Sequence, residues 1–213
     1  MDFEFPEARL LVFAKAPVPG RTKTRLMSTL GARGAARLYA AMVRHTLSWA
    51  VRSRLCPVEL WCAPACSHPF FMSCRRDFAL RLQRQSGGDL GRRMHRALAS
   101  ALSRAPYAVL IGSDCPALTS DDVRKALAAL QQGTDAVVGP AEDGGYLLIG
   151  LRRPQARLFA GIAWGGARVM GLTRRRLEQL GLSWRELAPR WDVDRPADLR
   201  RWKRGHSGNS HVL

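Results

Sequence analysis

Four cations stand at the end of one short apolar run: Lys15, Arg21, Lys23 and Arg25 follow Leu10-Leu11-Val12-Phe13-Ala14, with Pro17, Pro19 and Gly20 between them. The prolines and the glycine stop a strand and hold an open loop, and a loop that gathers Lys and Arg at a strand's carboxyl end suits phosphate oxygens. Acidic positions that could hold a metal for those phosphates lie far along the chain. Asp114 follows Val109-Leu110-Ile111, and Asp192-Val193-Asp194 places two carboxylates on one side of an extended stretch. Mg²⁺ takes one or two protein carboxylates plus phosphate oxygens and waters, so a sparse acidic set is adequate for a metal shared with a diphosphate. Each position also has a plain structural use. The loop could be a solvated basic turn, Asp114 could cap the next turn, and Asp194 or Arg195 could start a helix at Pro196.

Glu142-Asp143-Gly144-Gly145-Tyr146 reads as a hairpin turn between Val138 and Leu147 whose glycines let backbone approach a ligand, with Asp143 and Tyr146 beside it. Gly87-Gly88-Asp89 stands at the start of a helix, where Asp89 serves as an N-cap and anions are favoured. Cys62, Cys66, His68 and Cys74 supply only half of a zinc pattern, so buried thiols are expected there.

The elements that must position these residues alternate strand and helix, the pattern of a mostly parallel sheet covered by helices. Strands are expected at Leu10 to Ala14, Val58 to Cys62, Phe78 to Leu82, Val109 to Ile111, Asp135 to Gly139 and Tyr146 to Leu151. Helical spacing runs from Gly34 to Arg52, from Leu90 to Leu102 with Leu90, Met94, Ala97, Leu98 and Ala101 inward, and from Arg168 to Leu180 with Gly181 as the stop. Ser120 is the expected N-cap of a helix over Val123 to Leu130, and a further helix runs from Pro196 to Trp202. One domain over 1–204 and a polar, disordered tail over 205–213 complete the reading.

The net charge of +17 suggests a polyanionic partner, yet 30 of the 34 basic residues are arginines scattered through every element. Anionic substrates are attracted, and no sequence-specific nucleic acid partner is implied. No apolar run is long enough to span a membrane, and five cysteines, an odd number, fit a reducing compartment, so a cytoplasmic location is expected.

Five blocks carry a family resemblance. They are Phe13-Ala-Lys-Ala-Pro-Val-Pro-Gly-Arg-Thr-Lys-Thr-Arg-Leu26, Gly88-Asp-Leu-Gly-Arg-Arg-Met94, Ile111-Gly-Ser-Asp-Cys-Pro-Ala-Leu118, Gly139-Pro-Ala-Glu-Asp-Gly-Gly-Tyr146 and Asp192-Val-Asp194. On these blocks the chain resembles the nucleotide-diphospho-sugar transferase superfamily, and within it the DUF2064-type bacterial transferases (rSAM/selenodomain-associated transferase 1), relatives of the phospholactate guanylyltransferases. The resemblance implies a single-domain α/β fold of the GT-A type, a mixed, mostly parallel sheet with helices on both faces and Tyr146 to Leu151 antiparallel. It implies nucleotide and phosphate contacts from Ala14, Lys15, Gly20, Arg21, Lys23 and Arg25, and base or ribose contacts from Gln85, Gly88 and Asp89. It further implies Mg²⁺ or Mn²⁺ on Asp114 with Asp192 or Asp194, a sugar or acceptor pocket at Gly144, Gly145 and Tyr146, and Asp143 as a base.

The first functional expectation is a metal-dependent glycosyltransferase with a nucleotide-sugar donor and a small-molecule acceptor. The second is a nucleotidyltransferase joining a nucleoside triphosphate to a small phosphorylated substrate, which the lack of Asp-x-Asp around Ser113-Asp114-Cys115 favours. Trp164-Gly165-Gly166 departs from the Trp-Gly/Ser-Thr of the family. A non-catalytic polyanion-binding protein is the third, and it requires a continuous basic face and dispensable acids.

Overall fold

The computed structural model describes residues 2–205; of the tail expected over 205–213, Gly205 is instead the last residue of a helix and the rest lies outside the described residues. Among them, seven strands form one sheet in the order β3-β2-β1-β4-β6-β5-β7. The strands are β1 (Arg9–Lys15), β2 (Val58–Ala63), β3 (Arg81–Arg84), β4 (Ala108–Gly112), β5 (Ala136–Pro140), β6 (Tyr146–Leu151) and β7 (Trp184–Glu186). β6 runs antiparallel to β4 and β5, and the remaining pairs are parallel.

Continuous apolar strands need cover on both faces, and the helices supply it. They are α1 (Met27–Arg52), α2 (Pro69–Phe78), α3 (Leu90–Leu102), α4 (Ser120–Gln131), α5 (Ala156–Phe159), α6 (Val169–Gln179) and α7 (Pro196–Gly205). On one face Leu10, Val12, Leu60 and Val109 pack with Val43, Leu47, Phe71 and Leu127. On the other, Leu11, Phe13, Leu110 and Ile149 pack with Met94, Leu98, Leu158 and Leu177. A third cluster joins Leu26, Leu38 and Met42 to Val193, Leu199 and Trp202, and so ties the Asp192 to Asp194 stretch to α1.

Three expectations change. The expected strand from Phe78 to Leu82 begins only at Arg81, because Phe78 closes α2, a helix launched by His68 and Pro69, and Ala79 takes a left-handed φ of 52°. The N-cap of α4 is Thr119 and not Ser120: its hydroxyl accepts from the Asp122 N–H while Asp122 answers to the Thr119 N–H, a reciprocal box that Ser120 cannot form. Leu90, expected inside, is 42% exposed. The helical pattern expected from Gly34 follows a break at Gly31, whose φ of 66° interrupts the longer helix.

Candidate active site

β2 and β3 lie to one side of β1, and β6, β5 and β7 lie to the other side of β4. Connections leave the carboxyl ends of β1 and β4 in opposite directions, which opens a crevice at the point where open α/β sheets take ligands. The cleft there has a volume of about 740 Å³ and is lined by the β1 loop, Asp114, the start of α3, the start of β6 and Asp194.

Its electrostatic centre is a knot of acids and cations. Lys23 sits in the left-handed region (φ 49°, ψ 45°) and sends its ammonium 2.8 Å from Asp114 Oδ2; the side chains are 6% and 34% exposed. Arg25 pairs with Asp194. Burial would pull the Lys23 ammonium down, but Asp114, then Asp192 and Asp194, hold it above its usual value. Burial likewise opposes ionisation of Asp114, and Lys23 overrides it, keeping that carboxyl below the usual range. Asp192 lacks such a close cation. Burial, with repulsion from Asp114, Asp143 and Asp194 against the pull of Lys23, pushes it up to about 6.

Backbone bonds hold this knot together. Val193 N–H donates to the Asp114 carbonyl at 3.2 Å, and the Glu142 N–H donates to the Arg190 carbonyl at 2.9 Å, so the 190–194 stretch rides along the ends of β4 and β5. Arg190 clamps buried Asp122 with two bonds, and Arg201 clamps Glu142 and lies 4.5 Å over the Trp191 ring. The N–H groups of Asp194 and Arg195 go to Asp198, which leaves the Asp194 carboxylate for the cleft. Tyr39 braces the opposite wall: the Lys15 N–H donates to its hydroxyl, which also meets Ser113 Oγ at 3.1 Å. Burial, then the charge of Asp114, pushes the Tyr39 phenol up to about 12, so it stays a neutral brace.

Ala14, Lys15, Arg21, Lys23, Arg25, Gln85, Gly88, Asp89, Asp114, Tyr146 and Asp194 all line the cleft. Gly20 supplies the turn that precedes Arg21, at φ +80°. Asp192, Asp143, Gly144 and Gly145 do not line it. Asp143 is exposed in the β5–β6 turn, where its Oδ1 accepts from the Gly145 N–H at 2.9 Å. Gly144 is positioned by sterics, for at φ +89° an added Cβ would stand 2.2 Å from the Ala167 carbonyl oxygen. Asp89 caps α3 by accepting from the Arg92 N–H. Gln85 gives its amide N–H groups to the Ala14 and Trp61 carbonyls at 3.1 and 2.8 Å.

Among the described residues no three acidic, His or Cys side chains stand close enough to hold a metal unaided. The chemistry of the acids nevertheless suits a hard cation. Asp114 and Asp194 face the cleft, Asp192 stands behind with excess negative charge, and Lys23 and Arg25 supply the only close neutralisation of the two cleft acids among the described residues. Tyr39, Leu90 and Arg93 were not legible as site residues. Tyr39 sits in an apolar helical stripe, Leu90 has the spacing of an inner-face residue, and Arg93 is one arginine among many.

A family model described as an uncharacterized protein conserved in bacteria, DUF2064, matches residues 46–166. A solved structure of a candidate nucleotide-diphospho-sugar transferase from Desulfovibrio desulfuricans G20 is 34% identical, over 97% of this chain and 90% of that one, with a TM-score of 0.87. The 4-diphosphocytidyl-2C-methyl-D-erythritol synthase of Anaerococcus prevotii DSM 20548 shares the fold at 8% identity and a TM-score of 0.65, over 95% of this chain and 96% of that one. CMP:2-keto-3-deoxy-manno-octonic acid synthetase, solved with CTP, does so at 12% identity and 0.61, over 94% and 98%. No curated protein matches the chain.

Proposed function

Because the chain belongs to the DUF2064 family, within the nucleotide-diphospho-sugar transferase superfamily, we propose that it is a metal-dependent glycosyltransferase that uses a nucleotide-sugar donor. The observation that carries this reading is Asp114, a carboxylate at the switch point of the sheet that shares one cleft with Lys15, Arg21, Lys23 and Arg25. Bound Mg²⁺ or Mn²⁺ would neutralise the diphosphate as it departs. Asp114 would hold that cation, with Asp194 or Asp192 second and phosphate oxygens completing the shell. Lys15 and Arg21 lie in the cleft without an acidic partner among the described residues and would meet the phosphates directly. Lys23 and Arg25 would turn from the carboxylates to the phosphates as the cation arrives.

Asp143 keeps Oδ2 clear of its turn and would take the proton of an acceptor hydroxyl. Gly145 and Tyr146 would flank that acceptor or the sugar. One observation favours nucleotidyl transfer as a second reading: Ser113 is spent on Tyr39 and the Cys115 thiol on the Trp191 carbonyl, so Asp114 is the only acid this loop offers. The charge-only reading draws no support from the acids, since Glu59 and Asp122 are buried partners of Arg104 and Arg190.

The test is calorimetry with nucleotide sugars and nucleoside triphosphates, each with Mn²⁺ and with EDTA, followed by analysis of what is released when a panel of hydroxyl-bearing and phosphorylated small molecules is added to take the transferred group. Metal-dependent binding with release of a nucleoside diphosphate is expected. Release of pyrophosphate from a triphosphate selects the second reading, and equal affinity in EDTA removes Asp114 from its role.

A further inference from the structure

The end of the cleft between β3 and α3 is built differently from the charged knot. Leu90 and Met72 are the large apolar side chains left exposed among the described residues, and Leu90 is the one that lines the cleft, as Met94 and Phe13 also do. An apolar patch of this kind in a strongly basic protein suits the face of a planar ring. Polar groups at its edge are held in fixed directions. Gln85 is buried, and its amide nitrogen is spent on the carbonyls of Ala14 and Trp61, so the acceptor Oε1 is what it has left to offer. Arg93 is half-buried in the same wall; its Nε donates to the Gly87 carbonyl at 3.2 Å, and its terminal N–H groups have no acidic partner among the described residues. Gly87 makes that anchoring possible, because its φ of +139° and the close approach of the α3 backbone admit no side chain.

We propose that this wall selects the nucleobase, with Arg93 as the specificity-determining residue: it favours a base that presents a carbonyl oxygen beside a ring N–H, as guanine and uracil do. Arg93 donates to the carbonyl and Gln85 Oε1 accepts from the N–H. Adenine and cytosine present an amino group beside a bare ring nitrogen, which sets donor against donor at Arg93 and acceptor against acceptor at Gln85. The proposal rests on the nucleotide-binding reading above and sharpens it to a substrate class.

The experiment measures the affinities of GDP, UDP, ADP and CDP, with Mn²⁺ at fixed salt, for the wild type and for Arg93→Met, with Arg93→Lys as a second variant that keeps the charge. GDP and UDP are expected to bind at least about tenfold more tightly than ADP and CDP, the scale of one good bidentate base contact. Arg93→Met is expected to erase most of that preference, chiefly by lowering the affinities of GDP and UDP toward those of ADP and CDP, and Arg93→Lys to restore it only in part. Equal wild-type affinities for the four would overturn the proposal and leave nucleotide binding standing. A uniform loss across all four in Arg93→Met would overturn it too, by assigning Arg93 to the phosphates. If none of the four binds, the nucleotide reading itself fails.

Discussion

The two ends of the cleft solve opposite problems. At the β1–β4 end Asp114 and Asp194 are each answered from within the chain, by Lys23 and Arg25, and Asp192 carries a surplus. A ligand there must exchange partners. At the β3–α3 end Gln85 and Arg93 are fixed to backbone carbonyls, Leu90 stands open and nothing need be displaced. Pre-organised groups discriminate at little ordering cost, whereas groups that exchange partners can bind more strongly as charge develops on a departing group. Selection and chemistry are therefore expected to respond to different substitutions.

The largest effect is expected at the exchanging end. Asp114→Asn keeps the size of the side chain but removes the charge that a hard cation needs, so turnover should fall by roughly a thousandfold, about 4 kcal/mol of transition-state stabilisation. Binding of nucleotide without metal should change far less. The substitution also leaves Lys23 short of a carboxylate. Because Asp114 is 34% exposed and Asp192 and Asp194 still face Lys23, the cost to stability should stay near 1–2 kcal/mol. Denaturant titration beside kinetics separates the two, and wild-type turnover by a folded Asp114→Asn protein would sink the metal mechanism for either transfer reaction.

Glycines sharpen the comparison next. Gly144→Ala forces a side chain into a left-handed backbone and against the Ala167 carbonyl at 2.2 Å, so it should destabilise the protein by roughly 2–4 kcal/mol and displace the turn bearing Asp143 and Tyr146. Gly88→Ala meets open space, and its stability should stay within about 0.5 kcal/mol of wild type. Nucleotide affinity should nevertheless fall, since Gly88 lines the cleft where the ligand is expected. Thermal melts with and without a nucleotide distinguish the outcomes; a Gly88→Ala protein that binds like wild type would return that residue to a plain loop.

What was legible in the sequence follows the same division. The strands β1 and β4 are buried on both faces and end in Pro, Gly or Asp, so periodicity and breakers locate the switch point and place Asp114 opposite the basic loop. Local signals do not reveal partners. The pairing of Lys23 with Asp114 joins residues 91 apart, and that of Arg25 with Asp194 spans 169, so cations expected to meet phosphate oxygens turn out to be engaged by carboxylates. Asp89 and Gln85 carry structural bonds beside any ligand role, which residue type alone could not separate. β7 and α5 are short, and their place is fixed by the sheet and the helices they pack on more than by their own pattern.

The smallest expected effect tests the surplus charge at the exchanging end. The Asp192 carboxyl titrates at about 6 in the folded protein against the usual 3.8, chiefly because of burial and then of Asp114. The folded state thus holds this proton more tightly than the unfolded chain, and the stability it contributes is present below about pH 4 and is lost as pH rises to about 6. Asp114, held low by Lys23, acts in the opposite sense, since its contribution disappears only as pH falls below the usual carboxylate range. Asp192→Asn should therefore abolish the loss between about pH 4 and 6 and leave the variant a few degrees more stable than wild type at pH 7 without ligand. Every group common to both proteins cancels in the difference. With Mn²⁺ and nucleotide present the order should reverse, because a bound cation draws on the carboxylate that repulsion penalises when the cleft holds no cation. Melting curves for the two proteins across this pH range provide the check. Parallel curves would mean that Asp192 is adequately paired by Lys23 alone and that the exchanging end holds no charge in waiting for a metal.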